Sequence, residues 1–136
     1  MVVTSLSPAT NYYYAVYEYN TGNCYNMSEL IGSRITLSPE PLSHAVSFTS
    51  STVSATSLQL NFSPASTITN AYGYIILQKT GSTPAGLPAD GVSYSVGNTI
   101  GDATVAAIIS NNSLTSTTIS SLSHNSNYYF RLIPYN

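Results

Sequence analysis

The chain has 136 residues, with five acidic and three basic side chains, a formal charge of -2 and 43% hydrophobic residues. That length holds one ordinary domain, or one domain and a fragment. So weak a field excludes electrostatic capture of nucleic acid or an acidic membrane, and no apolar run approaches the ~18 residues of a membrane-spanning helix. Charged residues are only 6% of the total, so Ser, Thr and Asn must carry the polar surface. With Val, Ile and Tyr between them, this is the composition of a secreted all-β module, because branched and aromatic side chains suit a pleated, half-buried sheet. The opening residues lack the basic stretch and apolar block of a signal peptide. Cys24 is the only cysteine, which leaves no intrachain disulfide.

Alternation rather than helical periodicity runs through the chain. Asn11 to Asn20 and "ELIGSRITL", Glu29 to Leu37, read as the first two strands. "VSFTSSTV" (Val46 to Val53) and "SLQLNF" (Ser57 to Phe62) follow, the second with Leu58, Leu60 and Phe62 on one face. "AYGYIILQKTG", Ala71 to Gly81, is the strongest strand signal, a Tyr/Ile-rich run closed by a glycine turn. "GVSYSVG" alternates again, with Val92, Tyr94 and Val96 on one face, and "ATVAAIIS", "LTSTTIS" and "NYYFRLIPYN" complete the set. Gly, Pro, Asn and Asp turns separate these runs. Short strands with turns every 8 to 12 residues predict an all-β, two-sheet antiparallel sandwich.

A repeat sets the domain organisation. "SLSPATNYYYAVYEYN" at Ser5 returns as "SLSHNSNYYFRLIPYN" at Ser121, an offset of 116 residues. Ser5, Leu6, Ser7, Asn11, Tyr12, Tyr13, Tyr19 and Asn20 all meet identical partners. A period this long predicts tandem domains rather than a solenoid. Residues 1–38 are expected to be the C-terminal fragment of a preceding repeat, and residues 39–136 a domain without its own last strand.

Leu6-x-Pro8-x-Thr10-x-Tyr12, with its echo Leu122 and Tyr128, resembles the tyrosine corner of fibronectin type III domains. In such a corner a Leu packs inward where the chain crosses between sheets. Six residues later a Tyr buries its ring and returns its hydroxyl to the backbone. His124 and Ser126 replace Pro8 and Thr10 in the second copy, which is expected to weaken the corner's rigidity. "YGYIILQKTGS" and "PADGVSYSVGNTIGDATV" are similar to the longer fibronectin type III-like repeats of bacterial secreted and cell-surface multidomain proteins. The family implies a fibronectin type III or immunoglobulin-like sandwich and an extracellular or cell-surface location. It also implies a non-catalytic spacer or protein-interaction role beside neighbouring repeats of a larger exported protein. The chain has no Trp, so Phe62 or Phe48 must fill the volume a core Trp takes in the vertebrate domains.

No catalytic, metal or cofactor site is legible. His44 and His124 have no partners at ligand spacing. Asp90 and Asp102 offer too few oxygens for calcium and read as turn residues. Neither a credible carboxylate pair nor a nucleophile motif appears. One alternative to the spacer reading lies in the aromatics. With Tyr12 and Tyr14 inward, Tyr13, Tyr17 and Tyr19 point outward, and the second copy presents Tyr129, Arg131 and Tyr135. Such a stripe suits stacking on a glycan or another surface, as in an adhesion module. Finally, the family implies that Tyr128 to Asn136 is strand F, with a seventh strand, G, beside it. Glu29 to Leu37 is expected to fill that place. Ser38 to Ala45 barely spans a sandwich at about 3.5 Å per residue, so exchange between two molecules, a strand-swapped homodimer, is the expected form.

Overall fold

The run Gly73–Thr80, eight residues rich in branched and aromatic side chains, lies at the centre of the larger of two structural units. The computed structural model describes residues 2–65 and 71–136. Its two units are Met1–Pro39 and Glu40–Asn136.

The first unit is a hairpin. β1 (Asn11–Val16) pairs antiparallel with β2 (Leu30–Ile35), Asn11 opposite Ile35 and Val16 opposite Leu30. The first strand is shorter than its sequence pattern predicts: after Val16 only a bridge between Tyr19 and Tyr25 continues the pairing. With two strands there is no second layer, so both faces of the hairpin are largely exposed.

The second unit is the predicted two-sheet antiparallel sandwich. One sheet has the order β3-β4-β8, from Val46–Ser54, Ser57–Ser63 and Ser116–Ile119. The other has the order β6-β7-β5-β9, from Thr99–Ile100, Ala103–Ile109, Gly73–Thr80 and Tyr128–Tyr135. Leu60, Phe62 and Ile119 from the first sheet meet Tyr74, Ile76 and Ile109 from the second, and the core lies between them. Period-two alternation dictates this contact, since each strand gives every second side chain to the interior.

Phe62 takes the large core position. It is 4% exposed and meets the Tyr74 ring edge-on at 5.4 Å, whereas Phe48 is 39% exposed on the outer strand β3. Tyr74 is fully buried, yet its hydroxyl accepts a bond from the Ala65 amide and donates to the Asn112 carbonyl. Burial of that polar tip is thereby compensated.

The segment "GVSYSVG" is not a strand. Residues 81–98 form a loop that lies on the outer face of the four-stranded sheet, with Pro84 fully buried. Only Tyr94 of the alternating trio packs inward, against a second cluster of Ile75, Leu77, Ile100, Ala103 and Val105. Val92 and Val96 stay exposed. The backbone is held by Gly97 N–H to Val105 O and Val105 N–H to Asn98 O, and by the Tyr94 hydroxyl accepting from Ala89 N–H at 3.0 Å.

Candidate functional site

Both copies of the repeated segment make the same corner. Tyr12 Oη accepts a hydrogen bond from Ser7 N–H at 2.8 Å, and Tyr128 Oη accepts one from Ser123 N–H at 2.9 Å. The backbones agree as well. Ser5 and Ser121 lie at φ 62° and 61°, and Ala9 and Asn125 at 50° and 54°. These left-handed conformations are uncommon for residues with a Cβ. The hydroxyls of Thr10 and Ser126 each donate to the carbonyl two residues back, of Pro8 and His124. The His-Ser replacement leaves the hydroxyl bonds and the left-handed backbone of the corner in place, while the first copy is tied in addition by Thr36, whose hydroxyl donates to Ser7 O and accepts from Thr10 N–H.

Burial separates the two copies. Leu122 is 6% exposed in the sandwich core, and its N–H donates to Thr56 O; Leu6, with no opposing sheet in its unit, is 40% exposed. Tyr128 is half-buried rather than buried, its ring stacked with Phe130 at 6.4 Å. The Ser123 hydrogen bond holds its hydroxyl below the usual tyrosine pKa.

The tyrosine stripe predicted on both copies is not gathered into one open surface. In the first unit only Tyr13 lies on β1; Tyr17 and Tyr19 follow the strand's end, and Tyr19 turns to Tyr25 with rings 5.8 Å apart. In the second unit the outward face of β9 is covered. Ile133 and Tyr135 pack on the second apolar cluster, Tyr135 also meets the Tyr72 ring at 5.9 Å, and Arg131 reaches Ala85 O at 3.4 Å. Tyr129 alone of that face is exposed. The loop engages Arg131 through the Ala85 carbonyl, and Tyr135, at the other end of the strand, is engaged by Tyr72 and Ser110.

Asp102 has a role that the turn signal Gly101-Asp102 did not reveal. One carboxylate oxygen lies 2.7 Å from Lys79 Nζ, and the other accepts from Ala85 and Gly86 N–H at 2.9 and 3.1 Å. The Lys79 hydrogen bond, aided by those amides, lowers its pKa to about 2. It thus fastens the start of the covering loop to the sheet. No three His, Cys, Asp or Glu side chains come together to hold a metal ion among the described residues. Cys24 is exposed in the first unit, and no described helix is long and apolar enough to cross a membrane.

The remaining feature is the edge of β9. β5 pairs with one side of it through eight consecutive residues, Gly73 opposite Tyr135 to Thr80 opposite Tyr128. No strand pairs with its other side among the described residues. The sheet's opposite edge, β6, is only two residues long, and the edge strand β3 is broken by two register shifts and the left-handed Ser47. Short strands and bulges blunt an edge against unwanted pairing. β9 is longer and unbroken, but it carries Pro134, which has no N–H to give to a ladder.

Comparison with solved structures agrees with this architecture. The chain is similar to the chicken CNTN1 FN1-FN3 domains, with 16% identity, a TM-score of 0.65, and coverage of 97% of this chain and 39% of that one. The rat CD45 extracellular region, domains d3-d4, matches with 17% identity and a TM-score of 0.48 over all of this chain and 61% of that one. This chain therefore spans less than two thirds of either structure. No protein-family model matches, and no curated protein matches. The fold is an all-β, fibronectin type III-like sandwich.

Proposed function

We propose that the chain is a non-catalytic structural spacer or protein-interaction module of a larger exported protein, acting outside the cell or on its surface beside further repeats of the same kind. The observation that carries this reading is the twice-built corner. The same hydrogen bond, the same two left-handed residues and the same Leu-to-Tyr spacing recur in two separate units. Two copies of so particular a device in one chain fit an array of like domains, whose use is to set distance and present surfaces. The sparse charge and Ser/Thr/Asn surface suit an extracellular setting. Similarity of the glycine-tyrosine strand and Pro-Asp-Gly turn to bacterial surface repeats supports a bacterial parent protein.

A glycan array probed with the 136-residue chain, Tyr13→Ala and Tyr129→Ala tests this reading against a carbohydrate- or surface-binding adhesion module. The spacer reading expects no glycan signal that depends on either tyrosine. A glycan held by the parent chain and released by Tyr13→Ala or Tyr129→Ala overturns it in favour of adhesion.

A further inference from the structure

We propose that Asn26 and Asn111 are acceptors for N-linked sugar in the folded chain, and that Asn61 is closed to it. The donor is a sugar activated as a diphosphate ester. This goes beyond the spacer reading above, and its failure would leave that reading standing.

Three Asn-x-Ser triplets occur in the sequence: Asn26-Met27-Ser28, Asn61-Phe62-Ser63 and Asn111-Asn112-Ser113. This is the pattern that N-glycosylating transferases read. As triplets the three are alike, but the fold separates them.

Asn26 lies in the connection between β1 and β2, Asn111 in the turn between β7 and β8, and both are exposed. Each side chain folds forward over its own triplet. Asn26 Oδ1 accepts from Ser28 N–H at 3.1 Å, and Asn111 Oδ1 accepts from Ser113 N–H at 2.9 Å. The same bond thus forms in both structural units. It is an Asx turn, the arrangement a short Asn side chain makes where the backbone bends. Chemically it prepares the amide. A hydrogen bond to Oδ1 draws electron density from the nitrogen and makes its N–H more acidic. Nδ2 itself has no hydrogen-bond partner among the described residues in either triplet, so it is open to a transferase.

Asn61 is placed otherwise. It lies in β4, the middle strand of its sheet, opposite Thr49 on one side and Ser116 on the other. The triplet is extended, so Ser63 does not fold back onto the Asn61 side chain. Phe62, between them, is 4% exposed in the core. An Asx turn here would break pairing on both sides and draw Phe62 out of the sandwich.

The step is a substitution at the anomeric carbon of the sugar. A bond forms between Nδ2 and that carbon. The bond from the same carbon to the bridging phosphate oxygen breaks, and its electron pair leaves with the diphosphate. The amide proton goes to a base of the transferase, and nothing is oxidised or reduced. Sugar on a lipid diphosphate and sugar on a nucleoside diphosphate present the same bond. The surface gains from either. Only 6% of the residues are charged, and N-linked sugar is bulky and solubilising. At Asn111 it would lie beside Leu114, which is 43% exposed and whose N–H donates to Asn111 O.

The test incubates the folded 136-residue chain with a nucleotide sugar and a transferase that reads Asn-x-Ser, and maps the sites by peptide mass. Sugar is expected on Asn26 and Asn111 and not on Asn61. Asn26→Gln and Asn111→Gln each remove one site, and Asn61→Gln removes none. A peptide of residues 57–65, freed from the sheet, is expected to be modified at Asn61. Failure at Asn26 or Asn111 in the folded chain overturns the proposal, as does folded Asn61 modified as fast as the peptide. An unmodified peptide also overturns it, because the triplet rather than the fold would then exclude Asn61. Secretion of the chain from a eukaryotic cell supplies the lipid donor instead. Sugar on Asn26 and Asn111 in that arm assigns the lipid diphosphate as a source, and sugar there only with the nucleotide donor assigns the nucleoside diphosphate.

Discussion

Tyr128 accepts a hydrogen bond from the amide of Ser123, five residues before it, at 2.9 Å. This bond closes the corner between the end of β8 and the start of β9, and Leu122 anchors it from beneath at 6% exposure. The two residues contribute differently. Leu122→Ala removes apolar volume from a close-packed interior and is expected to destabilise by roughly 2–5 kcal/mol. Tyr128→Phe keeps the ring and its contact with Phe130 and loses only the bond to the amide. Its denaturation midpoint is expected to fall by clearly less than that of Leu122→Ala. Equal losses, or none in either variant, would contradict this division.

The left-handed conformation of Asn125, φ 54°, gives a second prediction. Asparagine tolerates this region, glycine adopts it freely, and a branched side chain clashes there. Asn125→Gly is therefore expected to melt close to the parent chain, and Asn125→Val to lose about 1–2 kcal/mol, the usual cost of left-handed backbone for such a residue. Thermal melts of the pair, with Tyr128 kept in both, separate backbone strain from loss of the hydroxyl bond.

The legible and illegible parts of this chain divide by sequence distance. The corner could be read because its members lie within seven residues and occur twice, the strand around Leu60 because alternation reports burial, and the strand around Ile76 because it is a continuous run of branched and aromatic residues closed by a glycine turn. "VSYSV" alternates as well, yet one inward side chain, Tyr94, suffices to tuck a loop, and a pattern this short does not distinguish that loop from a strand. Asp102 could not be read as a loop clamp, because Lys79, Ala85 and Gly86 lie 16 to 23 residues before it. Arg131 is engaged by the same loop, and Tyr135 by Tyr72 and Ser110, which lie 63 and 25 residues before it.

The core assignment separates two phenylalanines that are equivalent in sequence terms. Phe62 touches Tyr74 edge-on inside the sandwich, and Phe48 lies on the exposed outer strand. Phe62→Ala is expected to cost about 3–5 kcal/mol, the usual penalty for an aromatic truncated in a core. Phe48→Ala should cost clearly less than Phe62→Ala, because Phe48 is already 39% exposed on an edge strand. Urea titrations of both variants check this, and a Phe48 variant as damaged as the Phe62 variant would reverse the assignment.

Acid should release the loop over the outer sheet face before it unfolds the sandwich. The Asp102 carboxylate is held to a pKa of about 2, from an ordinary 3.8, chiefly by Lys79 and by the Ala85 and Gly86 amides. A carboxyl group whose pKa is depressed by folding stabilises the folded form above its unfolded pKa. That contribution is complete above about pH 4 and is lost as the pH falls toward 2. The core around Leu60, Phe62 and Ile76 holds no carboxyl group and has no such dependence. In an NMR titration the amide shifts of Ala85 and Gly86 should move with a midpoint near 2, while those of Leu60 and Ile76 stay still. Asp102→Asn removes the charge that binds Lys79, so it should abolish that titration and speed hydrogen exchange at Gly97 and Val105, whose amides bond within the loop region. Unchanged exchange at both amides would show that the loop is held by Pro84 and Tyr94 packing alone.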